Sequence, residues 1–276
     1  MIHLEFGQGG PAVRRLQEIL ECLGFDAGPV DGVFGPSTRR LVEEIQQIEG
    51  LSQDGIVGTH TWKRLLARIE ESRSMFKVDG NGLHDITGLH DPPKLFGWLR
   101  NWDMITGVTL HQTGCEMPQR PMGWGRVNAH YGITQEGLPI LINDPRDMLW
   151  HAQGLSKTTI GIEIEGNYRG LEANPRTLWE PGGGPHNLNE LMMDAAEIIF
   201  EDISRQFEAA GQRWGRVYGH RQASHNRRAD PGQEIWRRIG LDWSHRLNAS
   251  HHTPKLQFGK GRPIPKAWDP HGKGAY

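Results

Sequence analysis

Two histidines and an aspartate stand where the chain could hold a divalent metal. His220 and Asp230 lie ten residues apart in the stretch from Val217 to Gly232, and His111 ends the apolar run that begins at Gly107. Two imidazoles and one carboxylate suit zinc. Three protein ligands leave one tetrahedral position for water, the arrangement of a hydrolytic rather than a structural site. Two glutamates, Glu163 and Glu165, sit in an alternating stretch that starts at Thr159. Strand side chains alternate between faces, so both carboxylates share one face and either is eligible as a general acid and base. Rivals surround the set. His225 lies between His220 and Asp230, Cys115 follows His111 by four residues, and His130 and His151 could line a groove or support a sheet. Asp230 also opens the turn sequence Asp230, Pro231, Gly232, a role compatible with coordination.

The surrounding pattern predicts the elements that carry these residues. Ile105 to His111 reads as a buried strand with its histidine at the carboxyl end, where α/β sheets place their sites. His130 to Thr134 and Leu138 to Ile142 read as a hairpin, with Pro139 marking its second arm as an edge. Thr159 to Ile164 and Arg216 to Gly219 are further strands, and Leu188 to Ala210 is a long amphipathic helix. Strands mixed with helices indicate an α/β domain. The breaker-rich connection between Asn167 and Leu188 either gates the site or is an idle excursion.

A different organisation precedes this domain. Asp31 to Thr38 and Asp54 to Thr61 both spell D-G-x-x-G-x-x-T, the second copy 23 residues after the first. Each copy reads as a tight glycine turn that feeds a helix. Val13, Leu16, Leu20 and Leu23 form one helical face, Leu41, Ile45 and Ile48 a second, and Trp62, Leu65, Leu66 and Ile69 a third. Three short helices therefore bury one core.

Bulk properties narrow the function classes. The 276 residues are 36% hydrophobic and 23% charged, with a formal net charge of −2. That balance gives no electrostatic footprint for nucleic acid. No apolar stretch approaches the ~20 residues of a membrane-spanning helix. Cys22 and Cys115 fall in different domains, so they are not expected to pair, and Cys22 reads as core. The start, Met1 to Gly7, lacks a secretory pattern, so the expectation is cytoplasmic synthesis followed by release. No pattern fixes an oligomeric state.

Motifs add a family. Residues 3–69, through Gly7 to Gln17, Leu23 to Phe25 and the two glycine turns, resemble the three-helix peptidoglycan-binding domain of cell-wall hydrolases. Residues 100–245 resemble the zinc-dependent N-acetylmuramoyl-L-alanine amidases, which share the peptidoglycan-recognition fold. The resemblance rests on Val108 to His111, Ala129 to Gly137, Trp150 to Ala152, Ile160 to Asn167, and Gly219 with His220 through to Arg228 to Gly232. It implies a mixed central sheet flanked by helices, preceded by a small all-α three-helix wall-binding domain. It also implies zinc on His111, His220 and Asp230, Glu163 as the acid and base, and a groove for the murein stem peptide. His130, Trp150, His151 and Asn167 become candidate substrate-binding residues. Two departures stand out. Ala129 replaces a tyrosine of some relatives, and Arg228 replaces a lysine, keeping a charge that could stabilise an oxyanion. The expected division is a wall-binding domain at 1–70, a linker at 71–99, the zinc amidase domain at 100–246, and a basic tail at 247–276 that is either free or strapped onto the domain. The expected function is that of a phage or prophage endolysin. The rivals are a recognition protein that binds murein without cutting it and a zinc peptidase acting within the stem peptide.

Overall fold

The computed structural model describes residues 3–23, 25, 28–75, 77–90, 98–170, 185–247 and 261–269. They divide into two compact units, Met1–Phe76 and Lys77–Tyr276.

The first unit contains α1 (Pro11–Cys22), α2 (Pro36–Ile48) and α3 (Thr59–Met75). Proline in the first turn suits α1 and α2, because its missing N–H has no intrahelical partner there. Val13, Leu16, Ile19, Leu20, Leu41, Val42, Ile45, Trp62 and Leu65 close around Phe34 and Val57. Ile48 and Leu66, expected inside, are half exposed. The inward face of α2 is centred on Leu41, Val42, Ile45 and Gln46, which leaves Ile48 at its margin in the last turn. The side chains of Cys22 and Ile69 lie outside the described residues.

A buried glutamine explains each copy of the repeat. Gln17 Nε2 donates to Asp31 Oδ1 (2.9 Å) and to the Val33 carbonyl (3.0 Å), while its Oε1 accepts from the Gly32 N–H (2.8 Å). Gln46 repeats this with Asp54 Oδ1 (2.7 Å), the Ile56 carbonyl (2.9 Å) and the Gly55 N–H (2.9 Å). Gly32 and Gly55 stand at φ 75° and 70°, where a side chain would be strained. Aspartate, glycine and the following carbonyl thus all answer to one amide planted on the preceding helix. Hydrogen bonds from Gln17 and the Val33 N–H hold the Asp31 carboxyl below its usual range.

The second unit is built on a seven-stranded sheet in the order β1-β2-β5-β4-β6-β3-β7. Its strands are β1 (Lys77–Val78), β2 (His84–Asp85), β3 (Gly107–Gln112), β4 (Tyr131–Ile133), β5 (Pro139–Leu141), β6 (Thr159–Ile164) and β7 (Arg216–Gly219). β4, β6, β3 and β7 run parallel, while β5 is antiparallel to β4 and β1 to β2. The sheet is mixed, as expected. Val108 and Leu110 of β3 and Ile160, Ile162 and Ile164 of β6 face one core. Helix α4 (Glu190–Ala209) covers it with Met192, Ala195, Ile199, Phe200, Ile203 and Phe207, its N-terminus capped by Asn189. The short α5 (Gln233–Ile235) passes through a π-turn into α6 (Leu241–Arg246) and adds Trp236, Ile239 and Trp243. Alternation then turns Thr109, His111, Gly161 and Glu163 to the other face of the sheet.

Two expectations need correction, and of the two alternatives for the tail the described residues take the strap. The predicted linker at 71–99 is largely structured where it is described. α3 runs to Met75, the unit boundary follows Phe76, and β1 and β2 extend the sheet with Leu83 and Ile86 buried. Residues 91–97 lie outside the described residues. Pro139 is not on an edge, because β2 flanks β5. The register with β2 begins at Ile140, so the missing N–H of Pro139 is not needed on that side. The tail is a strap over 261–269, with Ile264 and Trp268 in the core, while 248–260 and 270–276 are not described. Of the breaker-rich connection, 171–184 lie outside the described residues. Among the described residues no helix is long and apolar enough to cross a membrane.

Replacing Gln46 or Gln17 with leucine strands a buried glycine N–H and a carbonyl, a loss of about 1–3 kcal/mol. The expected result is faster amide exchange over residues 31–66 by hydrogen-exchange mass spectrometry, with the sheet unchanged. The exposed Gln47→Leu leaves exchange as in the parent protein.

Candidate metal centre

Parallel pairing of β3 with β6 sets His111 directly opposite Glu163. β7 pairs with β3 on its other side and delivers His220 one residue past its own end. The chain returns to the same point at Asp230, whose Oδ1 accepts from the Gln112 N–H (3.1 Å) at the end of β3. That bond turns Oδ2 toward the histidines. His111, His220 and Asp230 are all buried and offer one cluster of potential ligand atoms.

The distances match a tetrahedral ion. His111 Nδ1 and His220 Nδ1 are 3.0 Å apart, His220 Nδ1 and Asp230 Oδ2 3.0 Å, and His111 Nδ1 and Asp230 Oδ2 4.0 Å. Zinc bonds of ~2.0–2.1 Å at tetrahedral angles require ligand atoms roughly 3.3–3.4 Å apart, within this range. The donor set, two imidazole nitrogens and a carboxylate oxygen, is the one zinc takes in hydrolytic sites.

A relay behind His111 fixes which nitrogen carries its lone pair. His151 Nε2 lies 3.2 Å from the Thr159 carbonyl, which can only accept, so this nitrogen bears the proton. His151 Nδ1 then accepts from His111 Nε2 at 3.0 Å. His111 Nδ1 is left unprotonated and aimed at His220 and Asp230. Burial, followed by the neighbouring His220 and His151, holds His111 well below its ordinary pKa and so in the neutral, ligating form. Burial and Arg100 push His151 down to about 3. Gly161 makes room for this ring, since a Cβ there would stand 2.8 Å from His151 Cγ and Nδ1.

The two glutamates have different occupations. Glu165 lies just past the last residue of β6 and is saturated. It accepts from the Met117 N–H (2.8 Å), Gln119 Nε2 (2.7 and 2.8 Å) and the Gln135 N–H (2.7 Å). Glu163 Oε1 stands 3.9 Å from His111 Nδ1, and its buried Oε2 has no hydrogen-bond partner among the described residues. Burial and then the Asp230 charge push its carboxyl up to about 8, opposed by Arg227. Glu163 is thus the carboxylate available for proton transfer.

The remaining candidates separate by burial. His130 is fully buried. Its Nδ1 accepts from the Gly161 N–H (2.9 Å), so Nε2 carries the proton and donates to the Asp147 carbonyl (2.9 Å). Asn167 is also fully buried, its backbone paired with His186. Both are framework residues: His130 takes the sheet-support alternative, and Asn167 departs from the expected substrate contact. His151 serves His111 as described. Trp150 alone of the four is open to solvent, at 49% exposure. Arg228 is exposed and presents its backbone carbonyl to Arg221, whereas the charge acting on both His111 and Glu163 is that of Arg227. His225 and Cys115 are exposed and outside the ligand cluster. Sequence reasoning missed Gln112, whose side chain also binds the Tyr168 and Ala229 backbones and staples the Asp230 loop to β3. Its position directly after a proposed ligand was the available signal.

Known proteins resemble both units. Residues 9–65 match the family described as a peptidoglycan binding domain, and residues 101–233 match the N-acetylmuramoyl-L-alanine amidase family. The N-acetylmuramoyl-L-alanine amidase CwlL of Bacillus licheniformis is 42% identical over 62 residues, 20% of this chain and 17% of that protein. An uncharacterized protein in the bpoA1 3' region of Kitasatospora aureofaciens is 46% identical over 57 residues, 20% of this chain and 48% of that protein. The chain thus spans less than half the length of these relatives. Among solved structures, the endolysin amidase LysCS of Clostridium intestinale is 11% identical, with 63% of this chain and 100% of that one covered and a TM-score of 0.43.

Replacing His151 with alanine removes the acceptor that orients His111. Zinc affinity, measured by competition with a chromophoric chelator, should fall about 10–100-fold. Unchanged affinity would mean that the relay does not direct the ligand.

Proposed function

We propose, from the premise that this chain joins a peptidoglycan-binding domain to an N-acetylmuramoyl-L-alanine amidase domain, that it hydrolyses the amide between N-acetylmuramic acid and the L-alanine of the stem peptide. The observation that carries this proposal is the convergence of His111, His220 and Asp230 beside Glu163, a partly buried carboxyl whose Oε2 has no hydrogen-bond partner among the described residues. The donor set fits zinc, which when bound supplies Lewis acidity and lowers the pKa of its water from ~15.7 toward ~7.

The chain's own residues supply the rest. Glu163 accepts the proton of the attacking water and returns it to the departing amine, a role that contributes about 10²–10⁴-fold. Burial and Asp230 raise its carboxyl, which favours the protonated form that hands its proton to the departing amine. The Arg227 guanidinium, half-buried and acting on both His111 and Glu163, is better placed than Arg228 to favour a developing oxyanion. Trp150, exposed beside His151, offers a flat apolar surface to the substrate.

The first unit holds the polymer, and the second cuts it. Tethering converts repeated encounters with an insoluble wall into intramolecular ones. This division of labour supports the role of a phage or prophage endolysin acting on the wall after release.

Three measurements test the proposal. Chelation should abolish turnover and added zinc restore it, while Glu163→Gln retains zinc and loses about 10²–10⁴-fold in kcat. Mass spectrometry of digested murein should find stem peptides with a free L-alanine amino end. Cuts inside the stem would make the protein a peptidase, and the absence of products from zinc-loaded protein would make it a recognition protein. Deleting residues 1–76 should reduce activity on insoluble wall more than on a soluble muropeptide, and equal losses would remove the tethering role.

A further inference from the structure

The loop that carries two of the three proposed ligands is gripped by a segment distant in sequence. His220 and Asp230 stand at its ends, with Arg221 beside the first. The Arg221 N–H donates to the Asp230 carbonyl (2.9 Å), closing the loop at its base. Its guanidinium then reaches across. Nη1 donates to the Arg228 carbonyl, Nε donates to the Pro263 carbonyl (3.0 Å), and the plane lies 4.8 Å from the ring centroid of Trp268.

Residues 261–269 answer from the other side. The Arg262 N–H donates to the Arg221 carbonyl (2.8 Å), and Arg262 Nε donates to the His225 carbonyl (3.1 Å) at the middle of the loop. Trp268, fully buried, donates from Nε1 to the Gly170 carbonyl. Ile264 packs over Gly219, the residue before His220, where its Cδ1 would stand 3.4 Å from an added Cβ. The segment thus touches the loop before, beside and beyond the first ligand. A guanidinium buried against another cation carries a cost, and burial together with Arg262 pushes Arg221 down to about 10. Stacking on an aromatic face and two carbonyl acceptors offset that cost.

The loop lies inside the part of the chain that matches the amidase family, whereas the strap that grips it lies beyond that match, which ends at residue 233. Resting on the metal-site proposal above, we infer that the strap at 261–269 sets the spacing of His220 and Asp230, with Arg221, Arg262 and Trp268 as positioning residues for the metal. The strap makes no ligand of its own. It holds the loop closed so that both ligands meet His111 without a further ordering step, and its loss raises the entropy to be removed on binding.

Full-length protein and five variants test this: Arg221→Met, Arg262→Ala, Trp268→Ala, Trp268→Phe and the control Ile203→Val. Zinc dissociation constants are read by chelator competition, and metal-free melting temperatures by circular dichroism. Arg221→Met keeps an apolar stem of similar reach, and Arg262→Ala removes a partly exposed side chain, so both remain testable should Trp268→Ala fail to fold. Arg221→Met and Trp268→Ala should weaken zinc binding at least ~10-fold and Arg262→Ala about 3-fold, with Trp268→Phe recovering most of the affinity. Ile203→Val, on the core-facing side of α4, should lower the metal-free melting temperature and leave zinc affinity unchanged.

Zinc affinities of Arg221→Met and Arg262→Ala within twofold of the parent protein would overturn the inference while leaving the metal site standing. So would affinities that simply follow melting temperature across all variants, Ile203→Val included. A parent protein that takes up no zinc would overturn the site itself, and the strap's role with it.

Discussion

Three potential metal-ligand atoms crowd one buried point, and the second unit is organised around that constraint. His111 Nδ1, His220 Nδ1 and Asp230 Oδ2 stand 3.0 to 4.0 Å apart in a region where water cannot screen them. Such a cluster depends on surrounding structure that fixes each group from behind, and a bound cation would complete it from the front. The fixing groups are identifiable. His151 and the Thr159 carbonyl hold one imidazole, and the Gln112 N–H holds the carboxylate. Parallel pairing of β3 with β6 and β7 brings the sequence-distant pieces to the same end of the sheet.

The same economy runs through both units, where a side-chain amide repeatedly organises a loop. Gln17 and Gln46 each satisfy a glycine turn, and Gln112 fastens the Asp230 loop to β3. A primary amide can donate and accept at once, so one planted on a helix or strand can satisfy a turn N–H and a turn carbonyl together. Leaving either unpaired inside the protein would be costly. Glu165 does comparable work with a carboxylate, collecting donors from the backbone at Met117 and Gln135 and from Gln119.

Much of this arrangement was legible in the sequence because it leaves periodic or motif traces. The three helices, the hairpin, the strand carrying His111 and the helix after Leu188 follow apolar period and turn chemistry. The three candidate ligands stand out by residue type, the two histidines at strand ends and Asp230 in the loop that follows. Strand parity made Glu163 and Glu165 equivalent, and only the hydrogen bonds that saturate Glu165 separate them. His130 and Asn167 sit in motifs next to the site, yet burial is a property of the folded surroundings and leaves no local mark. Strands of two residues such as β1 and β2 carry too few side chains to show a period. Arg227 and Arg228 are adjacent in the chain, and which of them faces the site depends on the path of the loop.

Gly161 widens the boundary of what counts as chemistry here. It carries no functional group, yet a single methyl at that position would collide with the His151 imidazole. The displaced ring would release His111 to rotate or exchange its proton between nitrogens. An inert backbone position in the middle of a strand is therefore as much a determinant of coordination as a residue with donor atoms, and a mutational survey confined to polar side chains would pass over it.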